Sequence, residues 1–169
     1  INIIIFGIEK TGSQLINDII AQQKQNSQST ELHIPIIAND SVAFFEKECI
    51  KNAWEANFIQ FAIPYNISDI VHYVKSVGLQ NLIAVDTTSQ YEVIADYPLL
   101  LQSGFDIVTS NQKYQSAPLK YNFQINNFFQ YNNQQLFEIN SDETKNTASE
   151  ILQQINLIAA NLTKHQLAV

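Results

Sequence analysis

Short, almost uninterrupted apolar runs alternate with longer amphipathic stretches, and this alternation constrains the fold of the 169-residue chain more than any other feature. Ile1–Phe6 is a β-branched run without lasting alternation, which is typical of a strand buried on both faces of a parallel sheet. From Thr11 to Lys24, apolar residues recur at the three- and four-residue spacing of an amphipathic helix. The same succession continues along the chain and predicts a doubly wound α/β domain with a mostly parallel sheet and helices on both faces.

The later elements are predicted from the same two patterns. Further strands are expected at His33–Ala38, Leu82–Val85, Phe105–Thr109 and Leu136–Ile139. Further helices are expected at Val42–Lys47, Ile67–Val74, Gln90–Gln102, in part of Gln115–Tyr131, and along Ala148–Leu162. Pro35 indicates that part of the second strand is an edge or a bulge. We expect one domain over residues 1–140 and a C-terminal helix within 141–169 that packs on the domain or at an interface.

The charge of the chain disfavours two classes of partner. Nine basic residues stand against sixteen acidic ones, and the formal net charge is -7. All the basic residues are lysines, so the side chain best suited to bidentate binding of phosphate is absent from the sequence. Nucleic acids and ligands with many phosphates are therefore not expected as partners.

Cysteine and histidine are too sparse for a disulfide framework or a metal centre. Cys49 is the single cysteine, and His33, His72 and His165 lie far apart on different predicted elements. No apolar run reaches the roughly 20 residues of a membrane span. We therefore expect a soluble cytoplasmic domain without a bound metal. Because the chain enters a strand at once from Ile1, without a Met, we also expect a piece of a longer protein.

Small polar residues follow four of the predicted strands. They occur in the segments Gly7–Gly12, Asn39–Ser41, Asp86–Ser89 and Thr109–Lys113. In an open α/β sheet, ligands bind outside the carboxyl ends of the strands, near the point where the strand order reverses. The four segments together predict a ligand crevice at that edge of the sheet.

The first of these segments has the length and the outer glycines of the dinucleotide-binding turn G-x-G-x-x-G. Gly7 would permit the tight turn and Gly12 the close approach of helix and strand. Glu9 replaces the middle glycine, which normally lets the backbone approach a pyrophosphate at the helix N-terminus. A simpler alternative stays open, in which this is a plain strand-to-helix turn whose glycines serve packing alone.

The order of these segments resembles that of homoserine dehydrogenases, especially those fused behind an aspartokinase. The resemblance extends from Ile1 to about Asn140 and includes Trp54 and Tyr97. Four segments carry most of it, namely Ile3-Ile4-Ile5-Phe6-Gly7 with Gly12, Ile36-Ile37-Ala38-Asn39-Asp40-Ser41, Ile83-Ala84-Val85-Asp86-Thr87-Thr88-Ser89, and Gly104-Phe105-Asp106-Ile107-Val108-Thr109-Ser110-Asn111. The third is similar to the family's Val-Asp-Cys-Thr-Ser, and the fourth to its Gly-Phe-His-Val-Val-Thr-Pro-Asn.

The resemblance implies a Rossmann-like fold and an NAD(P)-dependent reduction of aspartate 4-semialdehyde to homoserine, in the branch toward threonine and methionine. It also assigns residues to parts of the cofactor. The dinucleotide turn would comprise Gly7, Ile8, Glu9, Lys10, Thr11 and Gly12. Asn39 and Asp40 would lie near the adenosine ribose. Thr87, Thr88 and Ser89 would line the nicotinamide side, and Asn111 would contact the cofactor near the reaction centre.

The sequence also departs from the family's pattern. Glu9 replaces the middle glycine, and Gln112 replaces the lysine that the family uses in catalysis. Lys113 then remains as the one candidate for a catalytic residue. Ser141–Thr144 replaces a Val-Gly-Ala-Gly turn, and the family's substrate domain is absent from the chain. We therefore expect this chain alone to be inactive as a dehydrogenase.

Two hypotheses about function follow, with a third in reserve. In the first, the domain binds NAD(P), with NAD preferred over NADP because Asp40 would repel a 2′-phosphate. In the second, it is a catalytically inactive scaffold or regulatory module of an aspartokinase-type protein. The third is a Rossmann-like domain for another small ligand. Because the final helix has a broad apolar face from Ile151 to Leu162, it could also contact a second copy or another domain.

Overall fold

The computed structural model describes residues 1–25, 31–129, 133–140 and 146–167. Strands and helices alternate along the chain, except that the third strand follows the second directly. The strands are β1 (Asn2–Phe6), β2 (His33–Ala38), β3 (Val42–Phe45), β4 (Ile63–Pro64), β5 (Leu82–Asp86), β6 (Phe105–Thr109) and β7 (Leu136–Glu138). The helices are α1 (Lys10–Gln25), α2 (Trp54–Phe61), α3 (Ile67–Ser76), α4 (Tyr91–Gln102), α5 (Leu119–Phe129) and α6 (Thr147–Leu167). Within the described ranges, no helix is long and apolar enough to span a membrane.

The strands form one sheet in the order β4-β3-β2-β1-β5-β6-β7. The five adjacent strands β2, β1, β5, β6 and β7 are parallel to one another. Strands β3 and β4 are antiparallel to their neighbours. The chain builds outward from β1 to β4 and then returns to β5 on the other side of β1. The strand order therefore reverses between β1 and β5, and the predicted doubly wound α/β class is confirmed.

Helices cover both faces of the sheet, which explains why the central strands are apolar without alternation. Alternate residues of β1 belong to different layers, with Ile3 and Ile5 on one side and Ile4 and Phe6 on the other. The first layer contains buried residues of α1, α2 and α6, and the second those of α3, α4 and α5. All five residues of β5 are buried.

The helix predicted at Val42–Lys47 is wrong, because most of this segment is strand β3. Ile37 pairs with Phe44 and Ala38 with Ala43 in an antiparallel hairpin. A four-residue apolar run carries no period of its own, so its pairing with β2 decides its conformation. Sequence reasoning also missed helix α2, whose N-cap Ala53 lies at φ 63 and provides no side-chain cap.

Pro35 lies at a bulge and not at an edge. The parallel pairing of β1 with β2 shifts register between Asn2, opposite His33, and Ile4, opposite Ile36. β2 lies between β1 and β3, so the edge alternative is wrong. A proline is tolerated there because the missing N–H falls where the ladder is already irregular.

The final helix buries most of its apolar face within the domain itself. Ile151, Ile155 and Ala159 are buried and α6 packs against α1, whereas Leu157 is 53% exposed. The contact with a second copy or another domain stays a prediction, and among the side chains of α6 that the structure describes, Leu157 is the one large apolar residue that is exposed. The helix predicted within Gln115–Tyr131 is confirmed as α5, although residues 130–132 lie outside the described ranges, as does Ser141–Thr144.

Candidate functional site

The four polar segments meet at the carboxyl edge of the parallel strands, because backbone hydrogen bonds continue past the strand ends. Gly7 N donates to Ala38 O at 2.8 Å, and Thr87 N donates to Phe6 O at 2.9 Å. Ser110 N likewise donates to Asp86 O at 2.9 Å. The loops after β2, β1, β5 and β6 therefore lie side by side in that order.

The turn after β1 is closed by a threonine from the loop after β5. Thr87 Oγ1 lies 2.8 Å from Gly7 O and 3.1 Å from Phe6 O, and its hydroxyl donates to this pair of carbonyls. Gly7 has φ +90, and a Cβ on Gly12 would stand 1.8 Å from Gly7 O. Packing of the domain against itself therefore requires both glycines.

The middle of this turn is exposed and carries one acidic and one basic side chain. Glu9 and Lys10 are exposed, and Ile8 and Thr11 are half-buried. Ser13 N donates to Glu9 O at 2.8 Å, so Glu9 lies immediately before the first turn of α1, where partial positive charge gathers. The backbone of Glu9 does not have positive φ, so this position does not need glycine for its conformation.

Asn39 forms the turn between β2 and β3. Its Oδ1 accepts hydrogen bonds from Ser41 N at 2.9 Å and Val42 N at 2.8 Å. Its carbonyl accepts from the Tyr65 hydroxyl at 2.9 Å. Asp40 is exposed on the same turn, with Oδ1 3.3 Å from Ser41 Oγ. This turn therefore presents the carboxylate of Asp40 to solvent, whereas the side-chain oxygen of Asn39 is engaged within the turn.

Asp86 lies at the centre of a buried polar network at the end of β5. It is 1% exposed, and its Oδ1 accepts from Thr88 N at 2.8 Å and Thr88 Oγ1 at 2.7 Å. Its Oδ2 accepts from the Tyr97 hydroxyl at 2.7 Å and Asn111 Nδ2 at 3.0 Å. Burial, followed by the charge of Asp86, raises the pKa of Tyr97 well above its ordinary value. The phenol therefore stays a neutral donor to the carboxylate.

Asn111 joins this network to the loop after β6. Its Nδ2 also lies 3.2 Å from Thr88 Oγ1 and 2.9 Å from Gln90 O, and its Oδ1 accepts from Lys113 N at 3.1 Å. At 1% exposure, Asn111 holds the loops after β5 and β6 together.

Lys113 is exposed near the same edge. Its Nζ lies 5.0 Å from the centroid of the Tyr91 ring, within the range of a cation–π contact. Ser89 is exposed as well, while Thr87 and Thr88 are half-buried. In the part of the chain that the structure describes, no three His, Cys, Asp or Glu residues are grouped to hold a metal ion.

Comparison with known proteins identifies the family. The model described as "Homoserine dehydrogenase, NAD binding domain" matches residues 9–137. The chain belongs to this family. The matched segment contains five complete strands, β2, β3, β4, β5 and β6, and the polar loops after β2, β5 and β6. Helix α6 lies outside it. The resemblance drawn from the sequence is thereby confirmed.

Individual relatives agree with this homoserine dehydrogenase assignment. The bifunctional aspartokinase/homoserine dehydrogenase of Buchnera aphidicola is 25% identical over 123 residues, which are 72% of this chain and 15% of that protein. A hyperthermophilic archaeal homoserine dehydrogenase in complex with NADPH is 25% identical with a TM-score of 0.57, over 82% of this chain and 43% of that one.

The homoserine dehydrogenase from Thermoplasma acidophilum has the same fold, with 14% identity and a TM-score of 0.63, over 82% of this chain and 42% of that one. The chain thus spans less than half the length of these relatives.

Sequence reasoning assigned no site role to two tyrosines that the structure brings to this edge of the homoserine dehydrogenase domain. Tyr97 lies inside α4 and reaches Asp86, and Tyr65 follows β4 and reaches Asn39. A tyrosine on the buried face of a helix gives only a weak signal, because its hydroxyl usually finds some partner. Which residue accepts the hydrogen bond from the hydroxyl depends on the strand order.

Proposed function

We propose that this domain binds an NAD(P)-type dinucleotide across the carboxyl ends of β2, β1, β5 and β6. It would serve as the cofactor half of a homoserine dehydrogenase-like protein that reduces aspartate 4-semialdehyde to homoserine. The observation that carries this proposal is the convergence of four polar loops at the reversal of strand order, in a chain of the homoserine dehydrogenase family. A 25% identical homoserine dehydrogenase of known structure holds NADPH, which supports the same ligand class.

The residues at this edge fit such a ligand in part. The pyrophosphate would rest over the turn Gly7–Gly12, where the close approach of backbone leaves no room for side chains on the glycines. The ribose would lie at Asn39 and Asp40, and the nicotinamide, which supplies the hydride, along Thr87–Ser89. Asn111 would shape this last region indirectly, by holding the two loops together.

Glu9 makes the proposed binding weak. Glu9 is exposed and immediately precedes α1, next to the position where the pyrophosphate of a dinucleotide would take up the partial positive charge of the helix. Two unit charges about 4 Å apart in water repel by ~1 kcal/mol, and this would reduce affinity about fivefold. The turn is in this sense degenerate, although its outer glycines are retained.

The proposal includes two further points. NAD would be preferred over NADP, because Asp40 would repel a 2′-phosphate and the sequence contains no arginine to receive one. This chain alone would lack dehydrogenase activity, because Gln112 stands where the family has its lysine and Lys113 is directed to the Tyr91 ring.

Titration of the chain with NADH, followed by calorimetry and by nucleotide fluorescence, tests the proposal. We expect weak binding to the wild-type chain and about fivefold tighter binding to Glu9→Gly and Glu9→Gln. Glu55→Gln is the matched control, because Glu55 is an exposed carboxylate in the first turn of a different helix, α2. Absence of binding to all these variants, at millimolar NADH and NADPH, would contradict the proposal.

The second candidate function is an inactive scaffold or regulatory module of an aspartokinase-type protein. The coincidence of Glu9 in the cofactor turn with Gln112 at the lysine position favours it. Homoserine oxidation by the full-length parent polypeptide would eliminate this candidate. Two results together would support it: no homoserine oxidation by the parent polypeptide, and no gain in the affinity of Glu9→Gly for NADH or NADPH.

A further inference from the structure

Tyr65 connects the edge of the sheet to the turn that presents Asp40. It follows β4, whose Pro64 pairs with Val42 at the start of β3, and this pairing places Tyr65 beside the turn between β2 and β3. The ring is half-buried against the core layer of α3 and α4. The hydroxyl donates to Asn39 O at 2.9 Å.

Hydrogen bonds between Asn39 and the start of β3 hold the rest of the turn between β2 and β3. Asn39 N donates to Val42 O at 3.0 Å, and Asn39 Oδ1 accepts from the amides of Ser41 and Val42. With the bond from Tyr65, the N–H, the carbonyl and the side-chain oxygen of Asn39 all have partners. The backbone leading into Asp40 is therefore fixed, while the carboxylate of Asp40 stays exposed.

The surroundings of the Tyr65 hydroxyl are negative. Burial, and then the charges of Asp96, Asp40 and Asp86, raise the pKa of Tyr65 to about 12. The phenol is thus a neutral donor throughout the physiological range. A 2′-phosphate dianion at this turn would be repelled by the exposed carboxylate of Asp40, whereas a neutral ribose diol would donate hydrogen bonds to it.

We propose that Tyr65 is a positioning residue that sets the preference for NAD(H) over NADP(H), by holding the Asn39 carbonyl so that the Asp40 carboxylate faces the adenosine ribose. This inference rests on the proposed dinucleotide binding. It adds that discrimination depends on a hydroxyl from the loop after β4, which touches no part of the cofactor. Removing that hydroxyl loosens the turn and weakens the binding of NADH more than that of NADPH.

The test compares the dissociation constants of NADH and NADPH for the wild-type chain, Tyr65→Phe and Asp40→Asn. One neutral hydrogen bond corresponds to roughly a two- to tenfold change in an equilibrium constant. We expect Tyr65→Phe to reduce the ratio of the NADPH constant to the NADH constant about three- to tenfold, and Asp40→Asn to reduce it at least as much. The double variant should show no more loss than Asp40→Asn alone, because both changes act through one carboxylate.

Tyr73→Phe is the matched control. Tyr73 packs in the same core layer, but its ring contacts Phe45 at 5.0 Å between centroids, at the opposite end of β3 from Asp40. We expect no change in the ratio for this variant. An unchanged ratio in Tyr65→Phe, or additive losses in the double variant, would overturn the inference while leaving the proposed function intact. Failure of every variant to bind either nucleotide would instead overturn the proposed function, and this inference with it.

Discussion

The Tyr97 hydroxyl donates to Asp86 Oδ2 at 2.7 Å, from inside helix α4 to the carboxyl end of strand β5. Both residues are at most 1% exposed, so the contact is shielded from water. It fixes α4 against the strand that it follows and orients the carboxylate that also holds Thr88 and Asn111. The loops of the proposed nicotinamide side are therefore positioned by a buried residue that would not touch the cofactor.

Removal of the Tyr97 hydroxyl should destabilise the domain. In Tyr97→Phe, the buried carboxylate of Asp86 loses one of its donors, and a hydrogen bond to a charged group contributes about 1.5–3 kcal/mol. Urea unfolding at pH 7 should show a loss of free energy of unfolding in this range. Tyr73→Phe serves as the control and should lose less than about 1 kcal/mol. Equal losses in the two variants would mean that the network has no special role.

Gly12 should differ sharply from Gly78 in its tolerance of alanine. A Cβ on Gly12 would stand 1.8 Å from backbone oxygen of Gly7, so Gly12→Ala should cost about 3 kcal/mol or more in free energy of unfolding. Gly78 has φ +70 but no atom within 4 Å of the added Cβ. Gly78→Ala should therefore cost only the ~1 kcal/mol of the left-handed backbone. Thermal unfolding of both variants, with a clearly lower Tm for Gly12→Ala, would check this difference.

Stability should fall at alkaline pH. Burial raises the pKa of Tyr65 to about 12, and that of Tyr97 well above 10, whereas both tyrosines titrate near 10 when unfolded. Above pH 10 the unfolded chain loses protons that the folded chain retains, so the free energy of unfolding decreases until the folded pKa is passed.

Urea midpoints at pH 9 and pH 11 measure this dependence. The double variant Tyr65→Phe, Tyr97→Phe should show a smaller decrease between the two pH values than the wild-type chain. Tyr91→Phe is the control, because Tyr91 is exposed. A double variant with the full wild-type decrease would contradict the prediction.

Replacement of Asp96 by asparagine should stabilise the domain at neutral pH. Burial raises the pKa of Asp96, which means that folding disfavours its ionised form. Its contribution to stability is therefore fully present below the unfolded pKa near 3.8 and is lost as pH rises through the folded pKa. Asp96→Asn should unfold at higher urea than the wild-type chain at pH 7, and the difference should vanish near pH 3.5. Glu48→Gln, a change at an exposed carboxylate outside the helices and strands, should leave the midpoint unchanged at both pH values.

The hairpin of β2 and β3 shows where sequence patterns fail. Val42–Phe45 is apolar at every position, so neither a helical nor a strand period can be distinguished within it. The pairing of Phe44 with Ile37 across the turn at Asn39 decides the conformation. Helix α2 was missed for a related reason, since Ala53 gives no capping signal before Trp54.

The candidate site was predictable as an edge of the sheet but not as a geometry. Its four segments can be recognised in the sequence because each follows an apolar run. The carboxyl ends of parallel strands share one edge of the sheet, so the segments are expected to meet there. The side-chain contacts of Asn111 illustrate what could not be predicted. The resemblance implies that Asn111 contacts the cofactor, which stays a prediction, whereas the structure adds that its amide is 1% exposed and donates to Asp86, which lies 25 residues earlier.

The sequence by itself determined the α/β class, the strand ends that carry polar residues, and the family, because periodicity, glycines and short motifs are properties of neighbouring residues. The tertiary structure decided which groups face solvent and which face each other. Thr87 reaches the carbonyl of Gly7 across 80 positions of chain, and Tyr65 reaches Asn39 across 26. Such contacts depend on the strand order and on the path of each loop over the carboxyl edge of the sheet. No local pattern of residues encodes either of these.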